Sequence, residues 1–440
     1  FTNESISPVF SGTSNKSKKK MSSSNKRKRN TRSVKELRES ARQKWLSLNA
    51  ASDLVIVEKL LRESIDAVDT SNEEDRNEQT LSLDALCLLL CQQSRDKEAV
   101  VLMQQMGHVA RLSKEVLHYA AANTKNTKSF DPMSTPLRVF DDSLAPETLK
   151  RLQATFCAAD ADYWTSHNYS VYPPSAYFSF VVPLIPASFT ELGPLGDLLR
   201  LIVNKTEEHF GGVEDAKYAE LWAHRRPHAS GHQLHFDSDN EGRGGVRNPL
   251  VSTVLYLSDE GCGGPTLVTD QHIDGESLAQ TGWVAFPKKN RLVIFDGAVL
   301  HGVIPGRGYV NHEKSRTTLM VALWDDIRVR NHQHGPGAAM PLPLAAPKTL
   351  SKELTTTAVE VKVDSSSSST TPWQMSLTSP LELRSEPGGA SVSVRASIDD
   401  TKKSSCILIN PMQVDRVWTD LEDHSIGNAK PHYDTVFQGF

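Results

Sequence analysis

The chain has 440 residues, enough for two or three domains and a large core. Its apolar content, 38%, is low for a wholly compact protein, so a good part of it is expected to be tail or linker. The net charge of −4 hides an asymmetry: thirteen Lys and Arg face two Glu between Lys16 and Lys44, leaving the remainder near −15 and excluding a body that binds nucleic acid unaided.

No segment approaches the roughly 18 uninterrupted apolar residues of a membrane span, and no apolar run with a cleavage-type flank marks a secretory signal. The chain opens on Phe1 rather than Met, so an upstream segment is expected to be missing, or the start lies at Met21. Five scattered cysteines (Cys87, Cys91, Cys157, Cys262, Cys406) fit a reducing compartment better than a disulfide framework. Cys87 and Cys91, four apart on an expected helix, read as small apolar core residues rather than a metal pair.

Residues 1–32 are Ser, Asn, Lys and Arg with almost no apolar content, and are expected to be disordered. The clusters Lys18-Lys19-Lys20 and Lys26-Arg27-Lys28-Arg29 fit a nuclear address, a nucleic-acid arm or a plain solvated tail, and the expected location is nuclear or cytoplasmic. A helical region is predicted over 33–126: Leu54, Val57, Leu60, Leu61 and Ile65 give one stripe, and Leu102, Met106, Val109, Leu112, Val116 and Ala120 another, with Asn72 to Gln79 as a break. The stretch Leu137 to Tyr169 reads as a strand, an acidic turn and a helix opening near Ala145-Pro146-Glu147.

From there to about Asp325 short β-type runs alternate with Gly and Pro: Tyr177 to Leu184, Leu221 to Ala223, Leu250 to Leu257, Thr266 to Thr269, Trp283 to Phe286, Arg291 to Phe295, His301 to Ile304 and Thr317 to Trp324. One helix, Leu195 to Phe210, interrupts them. Strands at this density argue a sandwich or barrel. Residues 331–440 read as a weakly ordered extension in which only Leu377 to Leu383, Ala390 to Ala396 and Cys406 to Ile409 look like strands able to add at an edge.

The chemistry concentrates at His235, Asp237 and His301. Two imidazoles and one carboxylate can hold Fe(II) on one face and leave the opposite positions open. Composition predicts roughly two His-x-Asp/Glu matches by chance, so context must decide. His432-Tyr433-Asp434 has no His after it, and His272-Ile273-Asp274 lies only 27 residues before His301, too few for the chain to bring round a third ligand. About five short strands fit between Asp237 and His301, so those ligands can face each other across a jelly roll. At period two, His235 and Asp237 share one face of their strand and Phe236 takes the other.

The stretch Leu234 to Trp324 resembles the 2-oxoglutarate and Fe(II) dependent oxygenases, specifically their prolyl-4-hydroxylase-like branch. The resemblance rests on His235-Phe236-Asp237, Tyr256-Leu257, Gly263-Gly264-Pro265-Thr266, Pro287 with Leu292-Val293-Ile294-Phe295, His301-Gly302-Val303-Ile304-Pro305, and Arg316. It implies an α+β chain: a double-stranded β-helix (jelly roll) catalytic core over 137–330, centred on 221–325, with an α-helical N-terminal region. It implies Fe(II) on His235, Asp237 and His301, 2-oxoglutarate as cosubstrate, O2 as oxidant and ascorbate as an accessory reductant. Tyr256 and Thr266 match positions that line the cosubstrate pocket. The far carboxylate of 2-oxoglutarate needs a buried cation that grips it bidentately. Arg316, opening the last strand, is favoured over Arg307 in its Gly-rich loop, because a strand positions a guanidinium better.

The sequence departs from the pattern in two places. Arg225-Arg226-Pro227 stands where family members often carry a Tyr, and the His301 to Arg316 interval is lengthened by a loop with Tyr309, Asn311 and His312. His224, His228 and His232 invite a zinc reading, but Pro227 and Gly231 break any helix, so exposed or hydrogen-bonded loop histidines are expected. Asp239 to Gly245 lacks calcium-loop spacing and reads as a mobile lip beside the site. The expected activity is hydroxylation of a protein or peptide side chain. A free amino acid, another small molecule or an alkylated nucleic acid, the last only through the basic arm, are the alternatives, and a catalytically silent jelly-roll scaffold is the rival of another class.

Overall fold

The computed structural model describes residues 32–119, 135–239 apart from 159, 173 and 176, 246–329 apart from 276 and 312, 339–342, 371–379 and 406–421. Helices α1 (Val34–Leu46), α2 (Asp53–Asp66), α3 (Glu73–Gln92) and α4 (Asp96–Gln105) come first, then strand β1 (Ala110–Leu112) and the short α5 (Lys114–His118). Next follow β2 (Leu137–Asp141), α6 (Pro146–Phe156), α7 (Asp162–Ser166), β3 (Phe180–Pro183), a 3-10 segment and α8 (Gly193–His209). The central run is β4 (Tyr218–Pro227), β5 (His232–His235), β6 (Val251–Tyr256), β7 (Thr266–His272), β8 (Gly282–Ala285), β9 (Leu292–Asp296), β10 (Val299–Val303) and β11 (Ser315–Trp324). Last come β12 (Met340–Pro341), α9 (Pro372–Thr378), β13 (Ile407–Ile409), β14 (Met412–Val414) and β15 (Trp418–Asp420).

The strands form an eight-stranded sheet, β12-β3-β4-β11-β6-β9-β2-β13, and a five-stranded sheet, β14-β8-β7-β10-β5, antiparallel except where β12 meets β3. Between β4 and β11 the chain passes repeatedly from one sheet to the other, which stacks them and closes an interior. Alternation on β11 shows how the sequence does this: Met320, Ala322 and Trp324 join Val254, Phe295 and Val268 between the sheets, while Leu319, Val321 and Leu323 face the opposite way.

Each outer face is covered by helices. Leu319, Val321 and Leu323 meet Leu152 and Phe156 of α6, Leu195 to Ile202 of α8 and Trp373 of α9. On the other side Leu234, Leu267, Val284 and Leu300 pack against Trp45, Leu61, Leu89 and Met103 of the first four helices. The amphipathic stripes of those helices therefore find their partner on the back of the five-stranded sheet, directly behind β5 and β10.

Three expectations are corrected. The Leu102 to Val116 stripe is not one helix, because α4 ends at Gln105, Gly107 takes a φ of 80°, and β1 pairs with β15. Leu112 and Val116 are buried all the same, so the spacing tracked burial rather than helix. Asn72 to Gln79 opens α3 instead of breaking the run: the Asn72 side chain accepts the Glu74 N–H as an N-cap. Leu377 lies in the last turn of a helix, not in a strand; the Thr371 N–H donates to Gln374 Oε1 at 2.7 Å and Pro372 stands in the first turn. Ile407–Ile409 does add an edge strand, on β2. The basic clusters at 18–20 and 26–29 and the run Ala390 to Ala396 lie outside the described residues.

No helix among the described residues is long and apolar enough to cross a membrane. All five cysteines are free, and burial pushes the Cys91 thiol up to about 12, in keeping with a core position.

Candidate active site

β10 runs between β7 and β5, and its register sets His301 directly against His235. Asp237 follows just beyond the end of β5, so the chain needs only one further step of alternation to bring its carboxylate to the same place. Asp237 Oδ1 lies 3.4 Å from His235 Nε2 and 3.6 Å from His301 Nε2. Among the described residues this is the one group of three or more His, Cys, Asp or Glu side chains whose ligand atoms converge, all within 4.8 Å of one another. The rejected triplet stays apart from it: His272 ends β7 opposite Val299, with Asp274 in the following turn.

Supporting hydrogen bonds fix each ligand. His235 Nδ1 lies 2.9 Å from the Gln233 carbonyl and His301 Nδ1 lies 3.0 Å from that of Val299, so each ring donates through Nδ1 and keeps the Nε2 lone pair for the shared centre. Ser252 Oγ donates to Asp237 Oδ2 at 2.6 Å, leaving Oδ1 facing the imidazoles. Burial works against the Asp237 charge, but the two imidazoles outweigh it and hold the carboxyl well below its usual range. Burial also disfavours a charged His301, and the Asp237 carboxylate overcomes it, raising the imidazole above its ordinary value. A dication would replace that proton, so metal binding strengthens as pH rises through this titration. The donor set of two neutral nitrogens and one carboxylate oxygen suits a divalent transition metal.

The triad opens onto a cavity of about 570 Å³ between the sheets, in the usual size range of small-molecule sites. Trp222, His224 and Arg226 of β4 and Arg316, Thr318 and Met320 of β11 line it at alternate positions. Val246 and Ile273, 40% and 37% exposed, stand at its mouth.

Arg316 is 3% exposed. Its Nη2 donates to Thr266 Oγ1 at 3.1 Å, and its guanidinium sits 5.0 Å from the centre of the Tyr256 ring. The Tyr256 hydroxyl donates to the Ala285 carbonyl at 3.1 Å and meets Thr266 Oγ1 at 2.6 Å, so Tyr256 stands behind Thr266 and orients it while Thr266 lines the cavity. Arg316 has no carboxylate partner among the described residues, and its buried Nε makes no hydrogen bond. A buried cation without a counterion is costly, and the cavity is where an anion can meet it.

The Gly263-Gly264 pair makes room for this arrangement. Gly263 has a φ of 79°, and a Cβ there would overlap the stem of Arg316; one on Gly264 would overlap the Ile304 carbonyl. Arg307 is committed elsewhere: its guanidinium donates to the His118 carbonyl and, at 2.8 Å, to that of Gln92, tying the loop after β10 to the N-terminal helices. Arg307→Ala is therefore expected to lower the melting temperature by several degrees, the cost of roughly two hydrogen bonds, as a thermal melt would show.

The neighbouring histidines need correction. His228 is the hydrogen-bonded loop residue expected, accepting from Gly263 N–H at 2.9 Å through Nδ1 and donating through Nε2 to the Arg307 carbonyl at 3.0 Å. His224 instead lies within β4, His232 opens β5, and both line the cavity. The argument that broke a helix here was sound, but period two counted back from His235 reaches Gln233 rather than His232, and His224 belongs to a different strand, so alternation from the triad did not reveal either ring. Thr318, two residues beyond Arg316 on the same face, was also missed, and its buried Oγ1 has no hydrogen-bond partner among the described residues. Asp239 is a buried anchor rather than the start of a lip: its carboxylate pairs with Arg247 and accepts the Arg328 N–H at 3.0 Å. Residues 240–245 lie outside the described residues, as do His312 and the triplet at His432.

No protein-family model matches the chain, and no curated protein matches it. Solved structures do. A prolyl-4-hydroxylase from Pseudomonas putida aligns over 43% of this chain and 85% of its own, at 18% identity and a TM-score of 0.27. HygX from Streptomyces hygroscopicus with iron bound covers 47% of this chain and 92% of its own at 12% identity and a TM-score of 0.26. An oxidoreductase of the 2OG-Fe(II) oxygenase family from Burkholderia pseudomallei covers 35% and 59%, at 21% identity and a TM-score of 0.22. These scores describe a partial likeness, so the functional reading rests on the residues themselves.

Proposed function

We propose that the chain is a 2-oxoglutarate- and Fe(II)-dependent dioxygenase built on a double-stranded β-helix over 137–330, and that it hydroxylates a protein or peptide side chain. One observation carries this reading: three metal-ligating atoms and a buried guanidinium with no carboxylate partner among the described residues face the same cavity. His235, Asp237 and His301 would hold Fe(II), and Arg316 with Thr266 would take the far carboxylate of 2-oxoglutarate. When bound, the metal and cosubstrate supply the oxidising chemistry that uses O2, releases CO2 and succinate, and places one oxygen atom on the substrate. The protein's part is to hold the Nε2 lone pairs toward the metal, to neutralise the cosubstrate charge at Arg316, and to keep a largely apolar chamber around the reacting centre. The exposed rim at Val246 and Ile273 leaves an entry for a side chain from solvent.

Titrating the chain with Fe(II) under anaerobic conditions tests the reading directly. Addition of 2-oxoglutarate is expected to produce a visible metal-to-ligand charge-transfer band, stronger at pH 7.5 than at 6 because His301 must release its proton. Intact, folded protein that gives no band would instead point to a silent scaffold.

A further inference from the structure

Three segments far apart in the sequence meet at the Arg316 end of the cavity: His228, the first residue past β4, Gly263 in the loop before β7, and residues 304–307, which follow β10. One imidazole joins them. His228 Nδ1 accepts the Gly263 N–H at 2.9 Å, so its proton sits on Nε2, which donates to the Arg307 carbonyl at 3.0 Å. The His228 carbonyl in turn accepts the Gly306 N–H at 2.9 Å. Room for the ring comes from Gly306, where a Cβ would overlap His228 Nδ1 and Cε1. Burial lowers the His228 imidazole below its ordinary value, against the opposing effect of the Arg307 carbonyl, in keeping with the neutral ring that accepting at Nδ1 requires.

Gly263 links this bridge to the buried guanidinium. The Arg316 stem fills the space that a Cβ on Gly263 would take, so the position of the Gly263 backbone decides where that stem can lie. The other end of the bridge is anchored on the N-terminal helices. The Tyr119 hydroxyl, just after α5, accepts the Arg307 N–H at 2.8 Å and donates to the Pro305 carbonyl at 3.0 Å, while Nε2 of Gln92, the last residue of α3, donates to that same carbonyl at 3.3 Å. A continuous path therefore runs from Tyr119 through the Arg307 backbone, His228 and Gly263 to Arg316.

Hydrogen bonds alone give such a path no role, since any loop needs partners for its backbone groups. What matters is where this one ends. Thr266 and the Tyr256 ring meet the guanidinium itself, whereas the stem behind it is confined by backbone that His228 holds. We propose that His228 is a positioning residue for the 2-oxoglutarate site: it keeps Gly263 against the Arg316 stem so that the guanidinium meets the far carboxylate, and the N-terminal helices support it through Tyr119. This role rests on the dioxygenase reading and adds to it a determinant of cosubstrate affinity that does not line the cavity.

The test titrates the Mn(II)-loaded chain with 2-oxoglutarate and with 2-oxopentanoate, which carries a methyl group where 2-oxoglutarate has its far carboxylate. Both offer the metal the same 2-oxo acid, so the ratio of their affinities reads the grip on the far carboxylate. His228→Leu is expected to cut that ratio about tenfold, the worth of a misaligned charge-assisted hydrogen bond, and to leave Mn(II) and 2-oxopentanoate affinities within about twofold. His228→Gln, whose amide both accepts and donates, should regain most of the ratio. Tyr119→Phe, which deletes one oxygen at the far end of the path, should lower it about threefold. An unchanged ratio in His228→Leu overturns the proposal, and so does a His228→Gln no better than His228→Leu. A parallel loss of metal and both ligands also overturns it, because that marks a packing role. Should His228→Leu lack a cooperative melt, Tyr119→Phe decides, and a wild-type ratio there overturns the proposal. Wild-type chain that binds Mn(II) yet shows no preference for 2-oxoglutarate removes the dioxygenase reading itself, whereas a wild-type preference untouched by the substitutions removes the role of His228 alone.

Discussion

His301→Ala is expected to abolish succinate formation from 2-oxoglutarate and to weaken metal binding by more than the roughly 100-fold that loss of a supporting hydrogen bond costs. The reason is positional. His301 sits opposite His235 in the β5/β10 register, is buried, and shares Asp237 Oδ1 with its partner ring, so no other side chain among the described residues can replace its Nε2. His272→Ala is the control: it removes a histidine that also begins a His-x-Asp triplet, but from the end of β7, and should leave both readouts within about twofold. Equal losses from the two substitutions would show that the metal is held elsewhere. Metal affinity measured by competition separates loss of a ligand from loss of fold, since His301→Ala should retain a cooperative thermal transition.

The same comparison shows what was legible in the sequence. The triad followed from period two and from the number of strands that fit between Asp237 and His301, and the central strands fell near their predicted places because Gly and Pro separate them cleanly. The partner of the N-terminal helices was not legible. A stripe such as Leu54, Val57, Leu61 says that a face is buried, whereas which surface covers it depends on contacts with β5, β7 and β10 nearly two hundred residues on. The Leu102 to Val116 misreading has the same origin, since burial on two different elements reproduced helical spacing. His224 escaped for another reason. Judged as helix it failed, and as a residue of a strand ending at Pro227 it falls on the face that lines the cavity. Leu377 was read as strand because the β-like composition of Leu377 to Leu383 was weighed without the Thr371-Pro372 start that precedes it.

Arg316→Met is expected to move stability and binding in opposite directions. Two charge-assisted hydrogen bonds to a carboxylate contribute about 1.5–3 kcal/mol each, so 2-oxoglutarate affinity should fall roughly 10²- to 10⁴-fold. Without ligand the balance differs. The guanidinium is buried, has no carboxylate partner among the described residues, and leaves Nε without a hydrogen bond, while Thr266 and the Tyr256 ring supply its compensation. Met keeps much of the stem that packs against Gly263 and removes the desolvated charge, so the melting temperature of the ligand-free chain should hold or rise by a few degrees. Adding 2-oxoglutarate should then raise the melting temperature of the wild-type chain and hardly shift the variant, because only binding to the folded state stabilises it. An arginine retained for architecture would give the reverse pattern, a variant that melts several degrees lower and still binds the cosubstrate. The sign of the stability change therefore distinguishes a residue kept for its ligand from one kept for the fold.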